Sequence, residues 1–326
     1  MASVNGTKII ALEEHYWDPE VSGHFKVLAP DTRAPQMQER LFDLGAKRLA
    51  EMDASGIDVQ VVSHGAPATQ RLEGELAVSV SRKANDRLHQ AISTSKGRLH
   101  GFAVLPTADP KAAADELERT VTKLGFKGAM LHGPQYGAGG IVFLDDKRFW
   151  PIYERAQALD VPVYFHPAPP HPAVVEAYYK DYLKEFPGLM TAAWGFTVET
   201  ATQGIRLVLS GVFEAYPRFK VIFGHLGESL PFSAWRINMA IQRPGNKASA
   251  FRDVFRDRFW ITTSGNFSHA ALLCCVMEMG ADRIMFSVDY PFVPNPPGVK
   301  WMEDVPLGPD DRAKILNGNA TRLLKL

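Results

Sequence analysis

Ile9-Ile10-Ala11-Leu12-Glu13-Glu14-His15 decides how this chain is read. Four apolar residues, β-branched at the start, run into a Glu-Glu-His cluster. So short an apolar run reads as a buried strand rather than a helix. Side chains alternate along a strand, so Glu13 and His15 face one side and Glu14 the other. A carboxylate and an imidazole two residues apart at a strand exit form a two-ligand metal claw. A solvated strand end accounts for the same residues equally well, and the other strand exits break the tie.

Seven more short apolar runs follow, at residues 59–63, 99–104, 128–132, 161–165, 219–223, 259–263 and 283–287. Helical spacing fills most of the gaps, at 41–55, 73–95, 111–124, 149–159, 196–209, 229–241 and 269–279, with a last helix starting near Pro309. Gly45 weakens the first of these. Residues 16–40 read as a long loop over the first strand exit. Strands alternating with helices imply an α/β fold with a parallel sheet. Eight such units predict a distorted (β/α)8 TIM barrel, one domain over residues 1–326, with its functional groups on the loops after the strands. An open doubly wound sheet would carry a Gly-rich phosphate turn after the first strand, where Glu-Glu-His stands instead. The aromatic-rich insertion 168–195 and the Pro-rich loop 290–308 are expected to form a lid or a subunit contact.

Composition narrows the function. Lys+Arg and Asp+Glu both number 36, so no strong field favours nucleic acid or an anionic membrane. A hydrophobic fraction of 46% provides for a full core. No signal peptide and no membrane-spanning stretch is read. The only cysteines, Cys274 and Cys275, are adjacent in an apolar helix, which suits a reducing, cytoplasmic setting.

Five of the ten histidines, His15, His64, His132, His166 and His225, stand at strand exits, and Asp289 stands at the eighth. In a barrel these exits converge on one bowl. His166, followed by Pro167 and opposite Glu13 and His15, reads as a further ligand, although a lone histidine is more often a satisfied core residue. In Gly224-His225-Leu226-Gly227-Glu228, Glu228 can turn back to orient His225 and raise its basicity; a helix-start carboxylate beside a structural histidine is the alternative. Asp289 ends an apolar strand, and Pro291 argues against a helix-cap role.

Glu-x-His on the first strand, His166-Pro167 on the fifth, Gly-His-x-Gly-Glu on the sixth and Ser287-x-Asp289 on the eighth together resemble the amidohydrolase superfamily. More narrowly, they resemble its metal-dependent, non-oxidative decarboxylases of ortho-hydroxybenzoates, those of γ-resorcylate, 2,3-dihydroxybenzoate, salicylate and 5-carboxyvanillate. Leu124–Ala129, Trp235-Arg236 and Thr262–Phe267 extend the resemblance over almost the whole chain. Most hydrolytic members carry His-x-His on the first strand; Glu13 at the first of those positions is the decarboxylase form.

The resemblance implies one divalent ion, Mn²⁺ or Zn²⁺ with Mg²⁺ possible, on Glu13, His15, His166 and Asp289. It implies a small aromatic acid as substrate, a phenol and CO2 as products, and a reversible step. Asp289 is the implied proton donor. A cation beside it favours its ionised form, so the proton must arrive with or after substrate. His225 with Glu228 would hydrogen-bond the substrate, Arg236 would hold a substrate oxygen, and Phe292 would pack on the ring. His64 and His132 match no ligand position and read as walls of the bowl. A homodimer or homotetramer is expected. The same site run as a hydrolase of a lactone, ester or amide is the alternative, and a non-catalytic barrel that kept its ligands is a third.

Overall fold

Eight parallel strands position the site. The computed structural model describes residues 6–25, 34–137, 140–247 and 249–326. The strands are β1 (Ile10–Tyr16), β2 (Val59–His64), β3 (Leu99–Gly101), β4 (Ala129–His132), β5 (Val163–His166), β6 (Val221–Phe223), β7 (Phe259–Thr262) and β8 (Ile284–Met285). They pair in chain order as two arcs, β1 to β3 and β4 to β8. The arcs meet at two seams, each marked by a single parallel bridge, Ala103 with Ala129 and Leu12 with Ser287. Pairing is therefore not continuous round the ring, and the (β/α)8 barrel is distorted, as expected.

The barrel helices Gly74–Thr94, Pro110–Leu124, Trp150–Leu159, Gly195–Ser210, Leu230–Ile241 and His269–Met279 lie within one residue of their expected bounds. Local chemistry sets their ends. Asp109 accepts the backbone N–H of Lys111 and Ala112, and Pro110 occupies the first turn, where no N–H is needed. Gly125, at φ 72°, ends that helix in the left-handed region.

Three expectations change. Residues 16–40 are not one loop: Asp18 caps a short helix, Pro19–Gly23, and a second helix spans Pro35–Phe42, while residues 26–33 lie outside the described set. The single helix over 41–55 is two, because the Asp43 carboxylate accepts the N–H groups of Gly45 and Arg48 and starts a new helix at Ala46. The loop 290–308 contains a helix, Asn295–Asp304. Its prolines sit in the first turn, where the orphan N–H groups make them tolerable, and Trp301 and Met302 anchor it in the core. The helix Phe251–Arg258 and a small antiparallel hairpin, Gln135–Gly137 with Gly140–Val142, carry no expectation from the sequence.

Alternation sorts the strand residues into two cores. Ile10, Leu12, Val59, Val61, Met130, Tyr164, Ile222 and Met285 fill the barrel, together with Ala320, Leu323 and Leu324 of the last helix. Ile9, Ala11, Val62, Leu131, Phe165, Phe223, Ile261 and Phe286 face the helices. By the same parity His132 and His166 point inward at the strand exits.

Candidate active site and metal centre

Parity alone would place Glu13 and His15 wrongly. Ile10 and Leu12 face the barrel interior, so strict alternation would turn Glu13 and His15 toward the helices. The chain corrects this with a bulge. Leu12 pairs with Val61 and Glu14 with Val62, leaving Glu13 unpaired between them, at φ 58°. One extra residue moves every following side chain to the opposite face. Glu14 falls on the Val62 side, and His15, level with Ser63, turns into the bowl.

Glu13 is fully buried and asymmetrically held. Its Oε2 accepts hydrogen bonds from the hydroxyls of Tyr164 and Ser264 and, at 3.3 Å, from Thr262. Its Oε1 has no hydrogen-bond partner among the described residues. Gly224 makes room for this carboxylate: a Cβ there would stand 2.5 Å from Oε2 and 2.9 Å from Oε1.

Oε1 faces three other groups. One ligand atom from each of Glu13, His15, His166 and Asp289 lies within 4.8 Å of all the others. His166 Nε2 is 3.4 Å from Glu13 Oε1, and His15 Nε2 is 3.2 Å from Asp289 Oδ1. These approaches lack hydrogen-bond geometry: Glu13 Oε1, His15 Nε2 and Asp289 Oδ1 are all buried and without a hydrogen-bond partner. Buried polar atoms are nearly always satisfied. Three orphans converging with a fourth donor fit a divalent cation, and two carboxylates with two imidazoles suit Mn²⁺ or Zn²⁺.

The neighbouring groups fix the imidazoles. His166 Nδ1 lies 2.7 Å from the Pro167 carbonyl, so it carries the proton and leaves Nε2 free to ligate. His132 Nε2 meets the His64 carbonyl at 2.9 Å, which turns the lone pair of His132 Nδ1 toward His166 Nδ1, 3.0 Å away. Burial and the surrounding imidazoles keep His166 well below the usual histidine range, hence neutral. His225 behaves oppositely. Burial opposes its charge, but Glu13, Glu228 and Asp289 override burial and raise it well above that range. Its Nδ1 is 2.7 Å from Glu228, and its Nε2 is 3.6 Å from Glu13 Oε1 and 3.8 Å from Asp289 Oδ2.

The two bowl carboxylates also part company. Burial raises Glu13, against the pull of His225 and His15. Burial also works against an ionised Asp289, but its contacts with His15 and His225 outweigh it and hold the carboxyl below its ordinary value. An ionised Asp289 and the Glu13 carboxylate thus face the free Nε2 of a neutral His166, an arrangement that a cation would complete.

The amidohydrolase family pattern matches residues 14–326. The chain belongs to the amidohydrolase family. Among its members, the γ-resorcylate decarboxylase of Polaromonas sp. (strain JS666) is 40% identical over 325 residues, 97% of this chain and 98% of that protein. A crystal structure of 2,6-dihydroxybenzoate decarboxylase with 2,6-dihydroxybenzoate matches at TM-score 0.89 and 37% identity, covering 98% of this chain and 100% of that one. A dihydroxybenzoic acid decarboxylase from Polaromonas sp. JS666, with bound manganese and the inhibitor 2-nitroresorcinol, matches at TM-score 0.89 and 39% identity over 98% of this chain and 97% of that one.

In this amidohydrolase the structure brings together Glu13, His15, His166, His225, Glu228 and Asp289. Phe292 joins them, its ring centroid 5.5 Å from that of His15. Arg236 does not join them: it is exposed on the helix Leu230–Ile241, with no hydrogen bond or ion pair among the described residues. The sequence reading missed the hydroxyl clamp of Tyr164, Thr262 and Ser264. Parity was the available signal, since Tyr164 stands two residues before His166 and Thr262 two before Ser264, on the inward face. It also missed the His132–His166 contact, which depends on two neighbouring strands ending level.

Proposed function

We propose that this amidohydrolase is a metal-dependent, non-oxidative carboxy-lyase of ortho-hydroxybenzoates, with γ-resorcylate as its model substrate and a phenol and CO2 as products. The observation that carries the reading is the pair of carboxylates, the buried Glu13 and the half-buried Asp289, converging with His15 and His166. Collinearity with γ-resorcylate decarboxylases over nearly the whole chain supports it.

Glu13, His15, His166 and Asp289 would hold the ion, Mn²⁺ before Zn²⁺ because a relative carries manganese. When bound, the ion would supply positive charge that stabilises a phenolate oxygen. The contacts of Asp289 with His15 and His225 favour its ionised form, so in the proposed sequence it first accepts a proton and then returns it. As substrate seats, the Asp289 carboxylate accepts the phenol proton. It then delivers that proton to the ring carbon bearing the carboxylate, and a new C–H bond makes that carbon tetrahedral. The bond to the carboxylate breaks, its electron pair restores the aromatic ring, and CO2 leaves without a free aryl carbanion. The product phenolate regains a proton from solvent. His225 donates Nε2–H to a substrate oxygen, while Glu228 holds Nδ1–H. Phe292 packs on the ring.

The segments 168–195 and 290–308 are proposed as lid or subunit contact. Exposure of Tyr178, Tyr182, Phe186 and Trp194 supports assembly as a homodimer or homotetramer, which light scattering measures. No helix among the described residues is long and apolar enough to cross a membrane. Two free thiols, Cys274 and Cys275, fit a cytoplasmic location. The test of function is CO2 release from a panel of hydroxybenzoates by the Mn²⁺-loaded protein. Hydrolysis of a lactone or ester without CO2 release would reverse the reading.

A further inference from the structure

Glu14 is the charged residue of the opening motif that the site chemistry does not use. It is fully buried, and the bulge at Glu13 turns it to the face opposite His15. Its carboxylate brackets Asp289 in sequence: Oε1 accepts the backbone N–H of Val288 at 2.9 Å, and Oε2 that of Tyr290 at 3.1 Å. The Ser287 hydroxyl lies 3.4 Å from Oε1 and donates to the Leu12 carbonyl. Asp289 sits at φ 73°, a left-handed conformation that an ordinary residue keeps only when its surroundings hold it. The clamp supplies that hold.

The other side of the junction is held as well. The His15 N–H donates to the Tyr290 carbonyl at 2.6 Å. Arg48, fully buried, donates to the His15 carbonyl, and its guanidinium lies 4.7 Å from the centre of the Tyr290 ring. The simplest rival role for Glu14 is to neutralise Arg48. Yet no hydrogen bond or ion pair joins Glu14 and Arg48 among the described residues; the carboxylate oxygens are turned to the amides on either side of Asp289.

We infer that Glu14 is a positioning residue: through the amides of Val288 and Tyr290 it fixes the backbone of Asp289, and so sets where that carboxylate meets metal and substrate. The inference rests on the reading of Asp289 as ligand and proton carrier. It gives the two adjacent glutamates of the motif separate tasks. Glu13 offers an oxygen to the bowl, and Glu14 anchors the opposite wall from behind.

Three readouts test it. Hydrogen exchange on the wild-type protein, with and without Mn²⁺, should find the Val288 and Tyr290 amides protected in both states. Glu14→Gln keeps the shape but replaces one acceptor oxygen with an NH2 group that confronts a backbone N–H. Electron paramagnetic resonance titration of this variant should give Mn²⁺ affinity about 10–100-fold weaker, in line with other groups that orient metal ligands. Its kcat on γ-resorcylate should fall by a similar factor while KM moves less than about threefold. Ser287→Ala, which loosens the same junction without touching the two amide bonds, should lower thermal stability and leave Mn²⁺ affinity and kcat near wild type.

Amides that exchange at open-loop rates until Mn²⁺ is added would overturn the inference, and so would wild-type Mn²⁺ affinity in Glu14→Gln. Equal losses in Glu14→Gln and Ser287→Ala would reduce Glu14 to a structural acid and overturn it too. Should Glu14→Gln fail to fold, exchange in the wild type decides. A wild-type protein that decarboxylates nothing would sink the proposed function, while exchange and Mn²⁺ binding would still decide the role of Glu14.

Discussion

Glu13 and Gly224 are in contact across the barrel mouth, so close that a Cβ on Gly224 would fall 2.5 Å from Glu13 Oε2. The glycine before His225 is therefore a space requirement of a carboxylate on another strand. Its own φ is not in the left-handed range, so Gly224→Ala should leave the backbone intact and act through overpacking, at about 1–3 kcal/mol of stability. Pushing Glu13 aside should weaken Mn²⁺ binding by about 10–100-fold. Thermal melting and Mn²⁺ titration measure the two effects. Unchanged affinity would mean that Glu13 is not a ligand.

Three hydroxyls share Glu13 Oε2, and a hydrogen bond to a charged group contributes about 1.5–3 kcal/mol. Ser264→Ala and Tyr164→Phe should each free the carboxylate to swing and lower Mn²⁺ affinity about tenfold or more. Because both act on one oxygen, the double variant should lose less than the sum of the single losses. Strict additivity in a double-mutant cycle would show that the two hydroxyls do not act through Glu13.

The barrel was legible in the sequence because each strand is a short apolar run and each run is followed by a helix-spaced segment. His166, His225 and Asp289 were legible as strand-exit residues for the same reason. The bulge was not, because a one-residue insertion leaves no trace in a seven-residue run; Glu13 and His15 share a face by simple alternation, but the bulge decides which face. Helix Asn295–Asp304 hid behind Pro294, Pro296 and Pro297, which read as loop until Pro294 is seen to precede the helix and the other two to lie in its first turn. Tyr164 and Ser264 pass for core and turn residues until a carboxylate from a distant strand is placed between them. Arg236 was chosen by resemblance and sits exposed, a placement that helix spacing alone does not fix.

Glu228→Gln removes one of the carboxylates that raise His225. The His225 pKa should fall, as read by imidazole NMR. In the metal-free protein the sign for stability follows. A raised folded-state pKa stabilises fully below the unfolded value, about 6.5, and the contribution is lost as pH rises through the folded value. Glu228→Gln should therefore destabilise more at acidic than at alkaline pH. Denaturant midpoints across that range check it, and a loss that grows with pH would contradict the assignment of His225 as a charged partner of Glu228.

Asp289→Asn keeps the shape of the side chain but cannot accept and return the phenol proton. Its kcat on an ortho-hydroxybenzoate should fall by several orders of magnitude, the variant remaining folded by circular dichroism. A variant that retains near-wild-type kcat would move the proton-carrying role to His225.

The most direct measurement is the fate of γ-resorcylate with the Mn²⁺-loaded wild-type protein, followed by CO2 release and by appearance of the phenol. Stoichiometric resorcinol and CO2 are expected, lost on chelation and restored by Mn²⁺. No CO2 from γ-resorcylate or any other ortho-hydroxybenzoate, together with turnover of a lactone or ester, would contradict the proposed function and make Glu13 a ligand exchanged for histidine without a change of chemistry.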